Sequence, residues 1–332
     1  MGFLVHFLIL NFLICTSFRT VFNSATISAA NRVRAVLTED ERRTSQPMMP
    51  RHVAFIVDGN GRWAERRGLA RKDGHAAGAN VTSEVVKAVF DAGVEVVTLY
   101  LFSTENWARP ADEVANIFSL LEAYLHDFAG TYLGDNGIAL KVIGQTWRLP
   151  PSVQSVLSTL CAEPTTGTGA GVSSNRAAPG WPGQKSLEAA YNHYFGPSLS
   201  SSPSSPQSVP PARQKVLCLA LSYGGRADIV EASRRLAERC VRGDLRPEDL
   251  TESLFAQYTA TGVHRLPDPD VIVRTSGEER LSNFLLWQGA YAELVVVDKM
   301  WPEFTAAEAV ACISAAAART RRFGGGVSGG AA

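Results

Sequence analysis

The sequence predicts an α/β domain: a single domain on a central, mostly parallel sheet flanked by helices. Three observations carry this. From Pro50 onward, short apolar runs with the texture of buried strands alternate with segments whose apolar residues recur at helical spacing. Polar clusters directly follow the strand runs, which is where open parallel sheets bind ligands. Setting aside residues 1–49 and 162–213, whose composition suits no packed core, leaves roughly 230 residues, the size of one domain.

The elements follow in order. VAFIV at 53–57 is a buried-strand pattern, and Val81, Val85, Val86, Val89 and Phe90 lie at helical spacing. VEVVTLYLF at 94–102 is a second strand. Val114, Ile117, Phe118, Leu121, Leu125 and Phe128 then form one helical stripe. Residues 138–143 read as a strand and 150–161 as a short helix. Texture resumes with the strand VLCLALS at 216–222 and helices at 226–240 and 247–258. VIVRTS at 271–276 and ELVVV at 293–297 are strands, and the Ala-rich stretch 304–321 closes the chain as a helix. Neither 50–161 nor 214–326 holds a closed set of core elements, so the two are read as one domain.

The remaining segments are additions. FLVHFLILNFLIC at 3–15 is shorter than the ~20 residues of a membrane span. It fits the apolar core of a targeting signal, with a membrane-lying anchor as the other reading. The arginine-bearing stretch up to residue 49 reads as a disordered or cleaved leader. Residues 162–213 hold TTGTGAG and SLSSSPSSPQSVPP and read as a low-complexity insertion. GTGAG is no dinucleotide fingerprint, because the third glycine and a preceding strand are missing. Residues 327–332 are a tail.

Composition excludes several classes. Lys+Arg and Asp+Glu are both 32, so a broadly basic nucleic-acid binder is disfavoured. Five scattered cysteines without CxxC or Cys/His spacing argue against a disulfide framework or zinc site. GxxxxGK[ST] is absent, which disfavours a Walker-type NTPase.

Chemistry concentrates in four segments. In HVAFIVDGNGRWAERRGLARKDGH (52–75), a strand ends at Asp58 and a glycine turn opens a helix. Glycine lets a backbone approach a ligand, a helix start offers free N–H groups, and Arg62, Arg66, Arg67, Arg71 and Lys72 add charge. That combination suits phosphate, and Asp58 is placed to hold Mg²⁺ against it. YLFSTENWARP (100–110) sets Ser103, Glu105, Asn106 and Arg109 around Trp107 at the same sheet edge. LSYGGRADIV (221–230) is a third strand-turn-helix. In 268–294, Arg274, Arg280 and Ser282 form a second anion-binding group, and Glu293 is a candidate second Mg²⁺ ligand.

These segments, with FSTENWARPADEV, RTSGEERLSNFLLWQGAYAEL and WPEF, closely resemble the cis-prenyltransferase family, the undecaprenyl and dehydrodolichyl diphosphate synthases. They stand in the family's order over roughly 50–160 and 214–326. The resemblance implies repeated addition of isopentenyl diphosphate to an allylic diphosphate such as farnesyl diphosphate. It implies Asp58 as the essential acid working with Mg²⁺, and Gly59, Asn60, Gly61, Arg62, Arg71 and His75 on the allylic diphosphate. Trp63 lies by the substrate, and Ser103, Thr104, Glu105, Trp107 and Arg109 line the site. Asn106 assists proton removal; an amide is a weak base, so positioning is expected. Arg274, Arg280, Leu281 and Ser282 hold isopentenyl diphosphate, and Glu293 adds to the metal site. Helices at 81–91 and 112–129 line an apolar tunnel. Arg322 and Gly324, in the RRFGGG tail, reach a partner's site in a homodimer. The family also implies a membrane surface for the product, and the leader an address at the endoplasmic reticulum membrane or a plastid. Val57 and Ser222 depart from the family's usual Met and Asn. A trans-prenyltransferase is disfavoured because no paired DDxxD carboxylates occur. A non-catalytic scaffold subunit is the alternative, against which the retained Asp58, Arg62, Arg274, Arg280 and Glu293 argue.

Overall fold

The computed structural model describes residues 49–161 and 214–319. The leader, the 162–213 insertion and the tail with Arg322 and Gly324 lie outside the described residues.

Six strands form one sheet: β1 (His52–Ile56), β2 (Val96–Ser103), β3 (Ala139–Ile143), β4 (Val216–Tyr223), β5 (Val271–Thr275) and β6 (Glu293–Val297). Their spatial order is β3-β4-β2-β1-β5-β6 and every pairing is parallel. The helices are α1 (Asn60–Glu65), α2 (Arg71–Asp91), α3 (Ala111–Tyr124), α4 (Pro151–Leu160), α5 (Gly225–Val241), α6 (Glu252–Tyr258), α7 (Ala260–Val263) and α8 (Ala306–Ala317). A π-helical segment, Leu125–Leu133, continues α3.

The two-residue period of each strand divides the core between the sheet's faces. Val53, Phe55, Val97, Leu99, Leu217, Leu219 and Leu221 point to one face. There they meet Val85, Val86, Val89 and Phe90 of α2, Phe118 and Leu121 of α3, and Ala309 and Ile313 of α8. Ala54, Ile56, Tyr100, Cys218 and Ala220 point to the other face, against Phe284 and Leu285. Asp228 of α5 ties that side together, accepting hydrogen bonds from Tyr223 Oη at 2.9 Å, the Ala260 N–H at 2.8 Å and Gln288 Nε2 at 3.1 Å.

The chain runs from β1 outward to β2, β3 and β4 on one side and to β5 and β6 on the other. Asp58 follows β1 at this reversal, the usual ligand crevice of an open parallel sheet. The predicted strands are all present. The second helix is longer than the 81–90 stripe because its first turns carry polar site residues and two glycines rather than core side chains. The predicted helix at 304–321 begins later, at Ala306, where Thr305 caps it through the Glu308 N–H at 3.3 Å.

Candidate active site

Asp58 is fixed by its own backbone before its side chain acts. Its N–H donates to Thr275 Oγ1 at 3.1 Å, and its carbonyl accepts from Thr275 Oγ1 at 2.8 Å and the Trp301 N–H at 3.0 Å. Gly59 then turns the chain at φ 102°, a left-handed conformation that favours glycine. Its N–H donates to Asp58 Oδ1 at 2.7 Å. The same oxygen meets Arg62 at 3.1 Å, while Oδ2 accepts from Arg274 at 2.9 Å. Burial pushes the Asp58 carboxyl up, but the Arg274 hydrogen bond and the Arg62 charge outweigh it and hold the group below its ordinary value.

Helix α1 presses against the start of α2. A Cβ on Gly74 would lie 2.0 Å from the Asn60 carbonyl oxygen, and one on Gly78 would lie 2.3 Å from Asn60 Oδ1. This contact sets Arg71 and His75 beside the glycine turn, with the Arg71 guanidinium directly over Gly61. Asp58, Gly59, Asn60, Gly61, Arg62, Arg71, His75 and Arg109 line one polar pocket. Glu113, in the first turn of α3, joins three of them. It accepts from Arg71 at 3.3 Å and Arg109 at 3.0 Å, and pairs with His75 Nε2 at 3.4 Å. Burial lowers the His75 pKa, partly offset by Glu113, so the neutral ring is favoured.

The Arg274–Arg280–Ser282 group, expected to bind an anion, adjoins this pocket through Asp58 and Arg62. Arg274, only 4% exposed, donates to Ser282 Oγ at 2.7 Å and to the Arg280 carbonyl oxygen. The Arg280 side chain pairs with Glu278, which also takes Arg62 at 3.0 Å. A closed circuit results, from Arg274 through Asp58, Arg62, Glu278 and Arg280 back to Arg274. Leu281 packs against the apolar core beneath this loop. Of six non-glycine residues with positive φ among the described residues, Ser222 stands near the end of β4, and Ser276, Ser282, Asn283 and Leu285 stand in loops at this edge of the sheet. Local backbone strain of this kind concentrates at functional sites.

The 103–109 segment supports the site from behind. Ser103 Oγ accepts the Asn106 N–H at 3.2 Å, and Asn106 Oδ1 accepts the Ser103 N–H at 3.0 Å. The expected catalytic amide is therefore engaged in a reciprocal cap, and Asn106 is not among the residues lining the polar pocket. Thr104 donates to Glu105 at 3.0 Å, and Glu105 accepts from Asn283 Nδ2 at 2.8 Å. Asn283 also accepts the N–H groups of Gly225 at 2.6 Å and Arg226 at 2.9 Å, joining three loops. No local sequence pattern marks Asn283 for this role. Trp107 also stands away from the pocket: its ring packs on Phe102 and Phe118, and its Nε1 donates to Ser222 Oγ at 2.9 Å. Ser222 thus has a definite role at the position where the sequence departs from the family. Trp63 lies under the Arg67 guanidinium, 4.5 Å from the ring centre, rather than in the pocket.

Glu293 lies far from Asp58 within the chain. It stands in register with Val271, which pairs with Val53. Asp58 lies five residues further along the β1 direction, roughly 16 Å at the usual rise per residue. The two carboxylates sit at opposite ends of a parallel sheet and cannot share an ion within one chain. Glu293 is instead paired with Arg319 at 2.9 Å. Among the described residues no group of three or more His, Cys, Asp or Glu could hold a metal. Asp58 alone still suits Mg²⁺, which binds through one or two carboxylates plus substrate phosphates.

Beside the polar pocket opens an apolar cleft of about 610 Å³, counting its open mouth. Gly78, Ala79 and Thr82 of α2 form one wall, and Ile117, Leu120, Leu121 and Tyr124 of α3 another. The stretch 112–129 lines this cleft as expected, but of 81–91 only Thr82 does, because Val85, Val86, Val89 and Phe90 are turned into the core. Val57, Asn60 and His75 line both spaces, so the polar pocket and the cleft share one wall.

The comparisons agree with this architecture. A family model described as a putative undecaprenyl diphosphate synthase matches residues 56–178 and 206–324. The chain is 37% identical over 290 residues to an isoprenyl transferase of Heliobacterium mobile, covering 86% of this chain and 93% of that one. It is 37% identical over 286 residues to the farnesyl-diphosphate-specific ditrans,polycis-undecaprenyl-diphosphate synthase of Pseudomonas putida, with 86% and 95% covered. The crystal structure of lavandulyl diphosphate synthase from Lavandula x intermedia, in complex with dimethylallyl diphosphate, superposes with a TM-score of 0.66 at 28% identity, covering 83% of this chain and 98% of that one. The chain belongs to the cis-prenyltransferase family. It is a prenyltransferase of the Z-polyprenyl diphosphate type.

Proposed function

We propose that the protein adds isopentenyl diphosphate units to an allylic diphosphate, farnesyl diphosphate or a similar primer, to build a Z-polyprenyl diphosphate for polyisoprenoid carriers. One observation carries this reading: an arginine-lined polar pocket and an apolar cleft share Val57, Asn60 and His75 as a common wall. Such a site fits a molecule anionic at one end and greasy at the other. Arg62, Arg71 and Arg109 receive the allylic diphosphate, and the cleft takes its chain. Arg274, Arg280 and Ser282 receive isopentenyl diphosphate on the other side of Asp58. The reacting carbons then meet beside Asp58, and the flanking arginines stabilise charge gathering on the leaving diphosphate.

Asp58 would hold Mg²⁺ together with phosphate oxygens, and the ion supplies further neutralisation of that leaving group. With Asn106 Oδ1 engaged in its turn, the proton released on forming the new double bond is assigned to a diphosphate oxygen or water. The active form is a homodimer whose tail residues Arg322 and Gly324 act on the partner's site. It works at a membrane surface, directed to the endoplasmic reticulum or a plastid by its leader. Among the described residues no helix is long and apolar enough to cross a membrane. Ordered Asp58, Arg62 and Arg274 argue against the scaffold reading, since a scaffold has no need to keep a buried arginine aimed at a carboxylate.

The test is incorporation of labelled isopentenyl diphosphate into an extractable lipid, primed with farnesyl diphosphate, with and without Mg²⁺. Incorporation that depends on both the primer and the metal is expected. Its absence under every lipid and detergent condition overturns the reading, and product length is read from the same extract.

A further inference from the structure

We infer that Glu113 is a positioning residue for the anionic end of the cleft: one carboxylate sets the arrangement of Arg71, His75 and Arg109 and so selectively tunes affinity for the allylic diphosphate. The inference presupposes that the polar pocket takes that ligand.

An acidic residue in the first turn of a helix ordinarily acts on the amide groups of that turn. Glu113 directs its oxygens elsewhere. Oε1 meets His75 at 3.4 Å and Arg109 at 3.0 Å, and Oε2 meets Arg71 at 3.3 Å. Its side chain is 12% exposed, against 43% for Arg71 and 34% for Arg109, so the carboxylate lies beneath the groups it holds. Arg71 and His75 come from α2, while Arg109 comes from the turn before α3. Glu113 is therefore the tie between two elements whose side chains line the same pocket. Burial pushes the Glu113 carboxyl up, and Arg109 and Arg71 outweigh this and keep it charged.

Two effects oppose one another when Glu113 is replaced. Loss of its negative charge makes the pocket more attractive to an anion. Loss of its hydrogen bonds frees Arg109 and leaves Arg71 held by Glu65 alone, at 2.6 Å, so both regain rotamer freedom that binding must again restrict. The charge effect is screened because both arginines are partly exposed. Two-point recognition of phosphate depends on the plane of each guanidinium, so the positioning effect dominates. Arg274 and Arg280 make no contact with Glu113, so the isopentenyl subsite should not respond.

The experiment compares the full chain with Glu113→Ala, Glu113→Gln and Glu113→Asp. Calorimetry measures binding of inorganic pyrophosphate and of farnesyl thiolodiphosphate, an unreactive allylic analogue, and steady-state kinetics varies each substrate with Mg²⁺ present. Glu113→Ala should raise both dissociation constants and the allylic KM by about 10–100-fold, leaving the isopentenyl KM within about twofold. Glu113→Gln should fall between Ala and wild type, and Glu113→Asp should recover most of the loss. Tighter pyrophosphate binding by the Ala variant overturns the inference, as does an equal rise in both KM values. If Ala fails to fold, the Gln and Asp series decides. A wild-type chain that binds pyrophosphate without any turnover would refute the prenyl-transfer reading while the pyrophosphate series still judges Glu113.

Discussion

Arg274 reaches from β5 to the carboxylate of Asp58 beyond β1 at 2.9 Å, with side-chain exposures of 5% and 29%. The arginine is buried and the aspartate opens onto the pocket, so the pair joins core to site. Both groups are oriented before any ligand arrives, which is the condition for electrostatic stabilisation without reorganisation during reaction.

Asp58→Asn keeps the shape and removes the charge. Arg274 is then left buried against a neutral partner, costing about 1–3 kcal/mol of stability. Turnover should fall by about 10²–10³-fold or more, on the scale of losing a preorganised charge-stabilising group. Urea unfolding and the incorporation assay measure the two effects separately. A destabilised variant with normal turnover would remove Asp58 from the chemistry.

The contact between α1 and α2 permits a packing test. Gly74→Ala places a methyl group 2.0 Å from the Asn60 backbone oxygen, which cannot rotate away. A loss of about 1–3 kcal/mol is expected from overpacking, with a raised KM because Asn60 lines both spaces. Gly134→Ala, where a Cβ would meet nothing within 4 Å, is the control and should leave both quantities unchanged. Thermal unfolding of the two variants side by side decides the matter.

Two buried histidines predict a pH dependence of stability. His52 is lowered to about 4 by burial, partly offset by its hydrogen bond to the Pro267 carbonyl and by Asp270, with Arg51 acting in the same direction as burial. His264 is also lowered to about 4 by burial, partly offset by the Val142 carbonyl, with nearby Lys141 adding to the lowering. Between pH 6.5 and 4 the unfolded chain binds protons that these two rings refuse when folded. Stability should therefore be retained above pH 6.5 and decline as pH falls toward 4, by up to about 1.4 kcal/mol per pH unit for each ring. Urea midpoints over this range for wild type and His264→Asn should show a shallower slope in the variant. An equal slope would mean that His264 does not carry the dependence.

Ser222 stands at φ 48° with its hydroxyl accepting from the Trp107 indole at 2.9 Å. Ser222→Ala removes the acceptor and should cost about 1–2 kcal/mol. Ser222→Asn supplies a new acceptor, and asparagine tolerates left-handed backbone better than most residues. It should come closer to wild type in thermal midpoint than the Ala variant. The reverse order would show that side-chain size at this position outweighs the hydrogen bond.

The gathering of the site at one sheet edge was legible in the sequence because each chemical segment follows an apolar run, and a parallel sheet brings those ends together. Asp58, Arg62, Arg71, His75, Arg109 and Arg274 could be placed on that basis. The separation of Glu293 from Asp58 within the chain was not legible, because spacing along the chain says nothing about which end of a strand a residue occupies. Glu293 begins β6, while Asp58 follows the end of β1. Glu113 was legible only as a helix-start acid, since its three partners come together through the crossing of α2 with the turn before α3. Asn106 and Trp107 sit in a recognisable motif, but their role in holding the turn depends on Ser103, Ser222 and Phe118, brought together by folding. The ELVVV run reads as a buried strand. It forms the sheet's edge and is half-buried, because burial depends on neighbours that local pattern does not specify.

The shared wall of Val57, Asn60 and His75 also sets terms for a competing molecule. A bare phosphate mimic would satisfy the arginines and leave the cleft unfilled, while a plain hydrocarbon would fill the cleft and gain nothing from the arginines. A tight inhibitor must occupy both spaces, with an anionic head joined to a lipophilic tail across that wall. Affinity would then be governed as much by the geometry of the joint as by the quality of either half.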